Sequence, residues 1–216
     1  QLRIWLKSLH VLLPFRVCYL QVCLWVQYLV QMIQIIKDKS IDYIGKKWYN
    51  RDLRHLWKQA YMKIALANDH AGFALKNEIK MYLEAEGHEV VDFGCHSEES
   101  ADLPDYIYPA SLAVAKGEVD RGIFVDGVGY GSAMIANKLP DVYAAVCQDP
   151  FCAGLARSHS NTNVLCIGGK IIGSAIAMEI VKTWLTTNYL SEEVRYTARV
   201  DKVKAISEKH IRPISE

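Results

Sequence analysis

The cysteines of this chain form no metal or disulfide pattern. Six are present, at positions 18, 23, 95, 147, 152 and 166, with no Cys-x-x-Cys spacing and no paired Cys and His. Such a set does not point to a structural zinc site. The thiols read instead as small apolar groups in a reducing cytoplasm. The dinucleotide fingerprint Gly-x-Gly-x-x-Gly is also missing, because Ser132 stands where its last glycine would fall. Net charge is scarce as well, at +1, but it is unevenly spread. Residues 1–61 carry ten Lys/Arg against three Asp/Glu, whereas residues 62–216 carry fifteen against twenty-one.

The chain divides at that change of composition. Residues 17–36 are uncharged and long enough to cross a bilayer, but glutamines at 21, 27, 31 and 34 interrupt them. Gln27, Gln31 and Gln34 share one side of a helix, which suits an amphipathic helix equally well. Basic and aromatic residues follow, among them Lys46, Lys47, Trp48, Tyr49, Arg51, Arg54, Trp57 and Lys58. That mixture suits a headgroup layer or a nucleic acid. Three readings stay open for residues 1–61: translation from upstream of the gene's own start, a membrane or interfacial anchor, and a partner-binding segment. The extension is expected to be helical or disordered. Membrane contact is expected only if it is genuine, and no nucleic-acid partner is expected.

From Met62 onward the pattern alternates between strand and helix. Short apolar runs occur at 63–68, 89–93, 122–125, 142–147 and 163–167. Helical spacing occupies 72–86, 104–116, 132–138, 150–158, 174–186 and about 199–209. Strands alternating with helices imply a parallel sheet covered on both faces. The expected domain, residues 62–216, is a Rossmann-like α/β sandwich: three αβα layers around five parallel strands. Ligands bind such sheets beyond the carboxyl ends of the strands, so the residues following each strand carry the functional information.

Those residues are chemically rich. Asn68-Asp69-His70-Ala71-Gly72 follows the first strand, and Gly168-Gly169-Lys170 follows the fifth. Asp126-Gly127-Val128-Gly129-Tyr130-Gly131-Ser132 follows the third. Three alternating glycines before a helix let backbone N–H groups converge on an anion, although a tight strand-to-helix connection would look the same. Asp126 ends a buried strand. A carboxylate partly removed from water suits proton abstraction from carbon; a helix cap or turn is the plainer role. Asp69 has the same ambiguity, and His70 and His159 also read as ordinary helix-end histidines.

Several separated motifs together resemble one family. These are Asp69-His70-Ala71-Gly72, Asp102-Leu103-Pro104-Asp105-Tyr106, the glycine loop running into Ile135-Ala136-Asn137-Lys138, Arg157 to Leu165, and Arg195-Tyr196-Thr197-Ala198-Arg199. In that order they resemble the ribose-5-phosphate isomerase B family over residues 62–208. The family includes galactose-6-phosphate and allose-6-phosphate isomerases. The resemblance implies aldose–ketose isomerisation of a sugar phosphate through a cis-enediolate, without metal or cofactor, in cytoplasmic carbohydrate metabolism. It implies a homodimer, or a dimer of dimers, with active sites shared between subunits. It gives Asp69 and His159 to ring opening and His70, Lys170, Arg195 and Arg199 to the phosphate. By the same resemblance, Gly127, Gly129 and Gly131 are expected to face the enediolate, Asn137 to brace that loop, and Ser160 to lie by the sugar.

The departures gather at the sugar end. Asp126 stands where the family keeps its catalytic cysteine, Val128 replaces a threonine, Leu103 a tyrosine and Ser160 an asparagine. Some members carry a glutamate at the position of Ser132. Asp126 is therefore the expected base, and the changed lining suggests a different tetrose, pentose or hexose phosphate. The alternative is a non-catalytic sugar-phosphate-binding module.

Overall fold

A computed structural model describes residues 61–214. The expectations for residues 1–60, including the uncharged run at 17–36, concern residues outside those described. Among those described, no helix is long and apolar enough to cross a membrane.

Five strands form one parallel sheet: β1 (Lys63–Asn68), β2 (Glu89–Asp92), β3 (Arg121–Asp126), β4 (Ala144–Val146) and β5 (Val164–Gly168). Their spatial order is β2-β1-β3-β5-β4. The helices are α1 (Phe73–Ala85), α2 (Leu103–Ala115), α3 (Tyr130–Ala136), α4 (Pro150–Ser160), α5 (Ser174–Thr186) and α6 (Val194–His210). From β1 the chain steps outward to β2 and then returns across to β3. The order therefore reverses between β1 and β3, and a crevice opens there at the carboxyl ends of the strands.

The period-two side-chain rhythm of the strands sorts the core into two layers. Ile64, Leu66, Ile123, Val125, Leu165 and Ile167 face α1 and α5. Ala65, Ala67, Phe124, Val164 and Cys166 face α2 and α3. The three central strands are buried along nearly their whole length, which is why they read as continuous apolar runs. Gly87, at φ +87°, follows the end of α1 where an L side chain would be strained. Strand β4 is shorter than its apolar run because it lies at the sheet edge and pairs with β5 alone. Helix α6 starts at Val194, earlier than the expected 199, because Tyr196 is its one buried residue and a single position sets no apolar spacing.

One buried ion pair fixes α1 to the end of β2. Lys76 is 1% exposed, and its Nζ lies 2.9 Å from Asp92 Oδ2. Burial alone would raise the Asp92 carboxyl, but hydrogen bonds from Lys76 and the Gly94 N–H, with the charges of Lys76 and Lys80, bring it below its usual range. Removing one partner of a buried pair strands the other, so Lys76→Ala is expected to cost about 3 kcal/mol. Because the folded-state carboxyl is depressed, the pair's contribution is present above the unfolded value near ~4 and is lost as pH falls through the lower folded value. Chemical denaturation at pH 7 and at pH 3 checks this: the gap between wild type and variant should narrow in acid.

Candidate active site

The crevice between β1 and β3 collects the residues that follow three strands. Asp69 follows β1. Its Oδ1 accepts from Ala71 N at 2.9 Å and Gly72 N at 3.1 Å, capping a short 3₁₀ turn. Gly72 is required by close approach, since a Cβ there would lie 2.0 Å from the Val125 carbonyl oxygen. His70 Nδ1 accepts from Ala101 N at 3.2 Å, which assigns the ring proton to Nε2 and ties in the segment before α2. Gly169 N donates to Asp126 O at 2.7 Å and Lys170 N to Gly127 O at 3.0 Å. Those bonds join the loop after β5 to the loop after β3 and leave the exposed Lys170 beside it.

Asp126 is 3% exposed, but its carboxylate is not short of partners. Oδ1 accepts from Val128 N at 2.8 Å and from Gly129 N. Oδ2 accepts from Ser132 N at 2.8 Å and Ser132 Oγ at 2.7 Å. Two carboxylate oxygens offer about four lone-pair positions, so four donors nearly fill them. The expectation of a desolvated acid thus holds for water only; the loop's own N–H groups replace the hydration. Gly129 reaches φ +87° to present its donor, and α3 begins at the next residue. The sugar-end departures lie close by. Val128 is exposed, and Leu103 Cδ2 would be 2.5 Å from a Cβ on Gly131.

A second group lies at the other end of the sheet. Helix α4 starts beyond the carboxyl end of β4 and runs back to feed β5, so His159 and Ser160 sit near the amino ends of the strands. Asn161, at φ +50°, closes the helix. Buried Arg157 donates to Asn161 Oδ1 at 3.2 Å and to Thr162 O, which shapes that turn. Burial, with the Arg121 charge nearby, lowers its guanidinium to about 10. His159, Ser160, Arg199, Asn137 and Tyr143 line a groove of about 370 Å³. Arg195 and Arg199 stand one helical turn apart on α6, Arg195 in the stretch before the expected start at 199 and Arg199 at that start.

The sequence residues therefore fall into two sets. Asp69, His70, Asp126, Gly127, Gly129, Gly131 and Lys170 meet at the carboxyl ends of the strands. His159, Ser160, Arg195, Arg199 and Asn137 lie toward the other end. A five-residue strand separates them by roughly 16 Å. His159, grouped with His70 by residue type, ends a helix that returns along the sheet, and so lies at the opposite end from His70. Asn137 was expected to brace the glycine loop. It instead exchanges two bonds with Ala144, donating to O at 3.0 Å and accepting from N at 2.9 Å, and so holds β4.

Two participants were not foreseen. Ser132 supplies two of the four donors to Asp126, and its signal was the spacing Asp-x₅-Ser across a glycine-rich helix start. Tyr196 stacks on His159, a contact between α4 and α6 with no local signature.

Together, the doubly wound sheet and the acid-and-glycine loop at its switch point define an α/β enzyme domain with a small-molecule crevice. Residues 64–203 match the ribose/galactose isomerase model. The chain belongs to that family and is therefore an aldose–ketose isomerase. It is 44% identical over 147 residues to ribose-5-phosphate isomerase B of Escherichia coli (strain K12), covering 68% of this chain and 97% of that one. It is 37% identical over 131 residues to a 4-deoxy-4-sulfo-D-erythrose isomerase of Clostridium sp. (strain MSTE9), covering 59% and 81%. Among solved structures, the ribose-5-phosphate isomerase B of Clostridium thermocellum superposes with a TM-score of 0.67 at 41% identity, over 69% of this chain and 99% of that one.

Proposed function

We propose that the protein interconverts an aldose phosphate and its ketose through a cis-enediolate, with ribose 5-phosphate the default substrate and a tetrose 4-phosphate the main contender. The observation that carries this is Asp126, a buried acid set over a glycine-built N–H cluster at the switch point. It is joined there by Asp69, His70 and Lys170. His159, assisted by Asp69, opens the sugar ring, and Asp126 then moves a proton between C2 and C1. To take that proton Asp126 must release one donor. Ser132 Oγ is the one that can leave without moving backbone, because its hydroxyl rotates. His70, Lys170, Arg195 and Arg199 hold the phosphate dianion, which favours clustered cations and forked guanidinium groups. The N–H groups of Gly127, Tyr130 and Gly131 are not among those Asp126 takes, and they serve the enediolate oxygen.

A single chain keeps His159 and its arginines on the far side of the sheet from Asp126. The reading thus requires a second copy, whose His159 and arginines enter the first copy's crevice. Exposed apolar residues on both sets' surfaces suit such an interface, with Tyr130 and Met134 near the glycine loop and Val203 and Ile206 on α6.

The sugar end favours few hydroxyls. Val128 and Leu103 offer none to pair, which penalises a substrate that must bury extra hydroxyl groups. Incubation in deuterated water with phosphorylated tetroses, pentoses and hexoses tests the reading. Deuterium should enter C1 or C2 of at least one sugar, with the ketose accumulating. If none takes up deuterium, the isomerase reading fails. The wild-type enzyme should also keep its activity in iodoacetamide, since Asp126 stands in place of the family's catalytic cysteine and burial pushes the Cys147 thiol up to about 12.

A further inference from the structure

We propose that Tyr196 is a positioning residue that sets the plane of His159 and couples it to the phosphate-binding arginine. This rests on the isomerase reading and goes beyond it. Tyr196 is the buried residue of α6, at 6% exposure, so the helix docks through it. Its ring stacks on the His159 imidazole with centroids 4.0 Å apart and planes 15° from parallel. Among the described residues, no hydrogen bond engages either ring nitrogen of His159, so the stack is what orients it and leaves both nitrogens free for a sugar. The same tyrosine also fixes Arg195. Arg195 Nη2 donates to Tyr196 Oη at 2.7 Å, with the guanidinium carbon 4.5 Å from the ring centroid. The Arg199 guanidinium lies 6.0 Å from it. One side chain therefore lies against the proposed ring-opening histidine and both proposed phosphate-binding arginines. A phosphate arriving at Arg195 would bear on the residue that holds the imidazole.

The chemistry supplies a clean separation. A pentose 5-phosphate closes into a furanose and must be opened. A tetrose 4-phosphate cannot close, because its 4-oxygen carries the phosphate. An orienting role for Tyr196 therefore matters for the first sugar and not for the second. A merely structural role would affect both.

The experiment measures kcat and KM on both sugars for the full chain and for Tyr196→Leu and Tyr196→Phe. Losing the stack in Tyr196→Leu should lower kcat on the pentose phosphate by about 10- to 100-fold, the usual effect of misplacing a catalytic group. On the tetrose phosphate kcat should stay within about threefold. Tyr196→Phe keeps the stack and should restore the pentose kcat, while its lost hydroxyl raises KM for both sugars. Equal losses on the two sugars in Tyr196→Leu, or no loss on either, overturns the inference and leaves the isomerase reading standing. A wild-type protein that exchanges no deuterium into either sugar overturns both.

Discussion

Asp126→Asn should lower kcat by about 1000-fold or more, since it removes the group that accepts the carbon-bound proton. It should also cost stability. The amide oxygen can keep Val128 N and Gly129 N, but the Nδ2 group would then face the Ser132 N–H, donor against donor. One unmet buried donor costs about 1–3 kcal/mol. A loss of rate in this variant alone would therefore not separate proton transfer from loop support. Asp126→Cys separates them. A thiolate can take a proton from carbon, but it cannot hold four donors. If Asp126 is the base, Asp126→Cys should recover at least about tenfold over Asp126→Asn and become sensitive to iodoacetamide, although the protein melts lower. A cysteine variant as slow as the asparagine one would reduce Asp126 to a loop clamp. Near-wild-type turnover in Asp126→Asn would remove it from the chemistry altogether.

Mixing two dead proteins should restore activity. In the shared-site reading, Asp126 comes from one copy and His159 from the other. Asp126→Asn and His159→Gln homodimers each carry a lesion in both sites. A mixed dimer of the two has one site with both lesions and one with neither. Random re-pairing makes half of the dimers mixed, so activity should return to about a quarter of wild type. Damage to the glycine loop by the first substitution stays in the doubly mutated site, so it does not confuse the result. Activity that stays at the sum of the separate variants after verified subunit exchange would place both residues' roles within one chain, against the roughly 16 Å that separates them.

Much of the fold was legible because the central strands are buried on both faces. Lys63–Asn68 and Ser174–Thr186 follow directly from their apolar pattern. The start of α6 was not legible, since burial there rests on Tyr196 alone and periodicity needs several apolar residues to register. At the site, residue types at the strand ends marked Asp69, His70 and Asp126 as candidates, and the family resemblance added Lys170. What linear reading could not supply was direction. In a parallel sheet each helix undoes the advance of the strand before it, so a histidine ending α4 lies at the opposite end from an aspartate ending β3. The saturation of Asp126 was hidden for a related reason. Its donors lie two to six residues away, but they converge only once Gly129 adopts its left-handed turn.

The glycine loop of the resting protein already holds one negative charge. If Asp126 takes the proton from carbon, that charge leaves the side chain and reappears on the enediolate oxygen beside the same loop. Charge is displaced by a short distance and is not created, so the surrounding dipoles need little reorientation between ground and transition states. A cysteine held as a neutral thiol in the resting site would set the loop no such charge beforehand. Asp126 occupies the donors of Val128, Gly129 and Ser132, so on this reading an analogue of the intermediate binds the remaining N–H groups of the same loop next to a fixed negative charge.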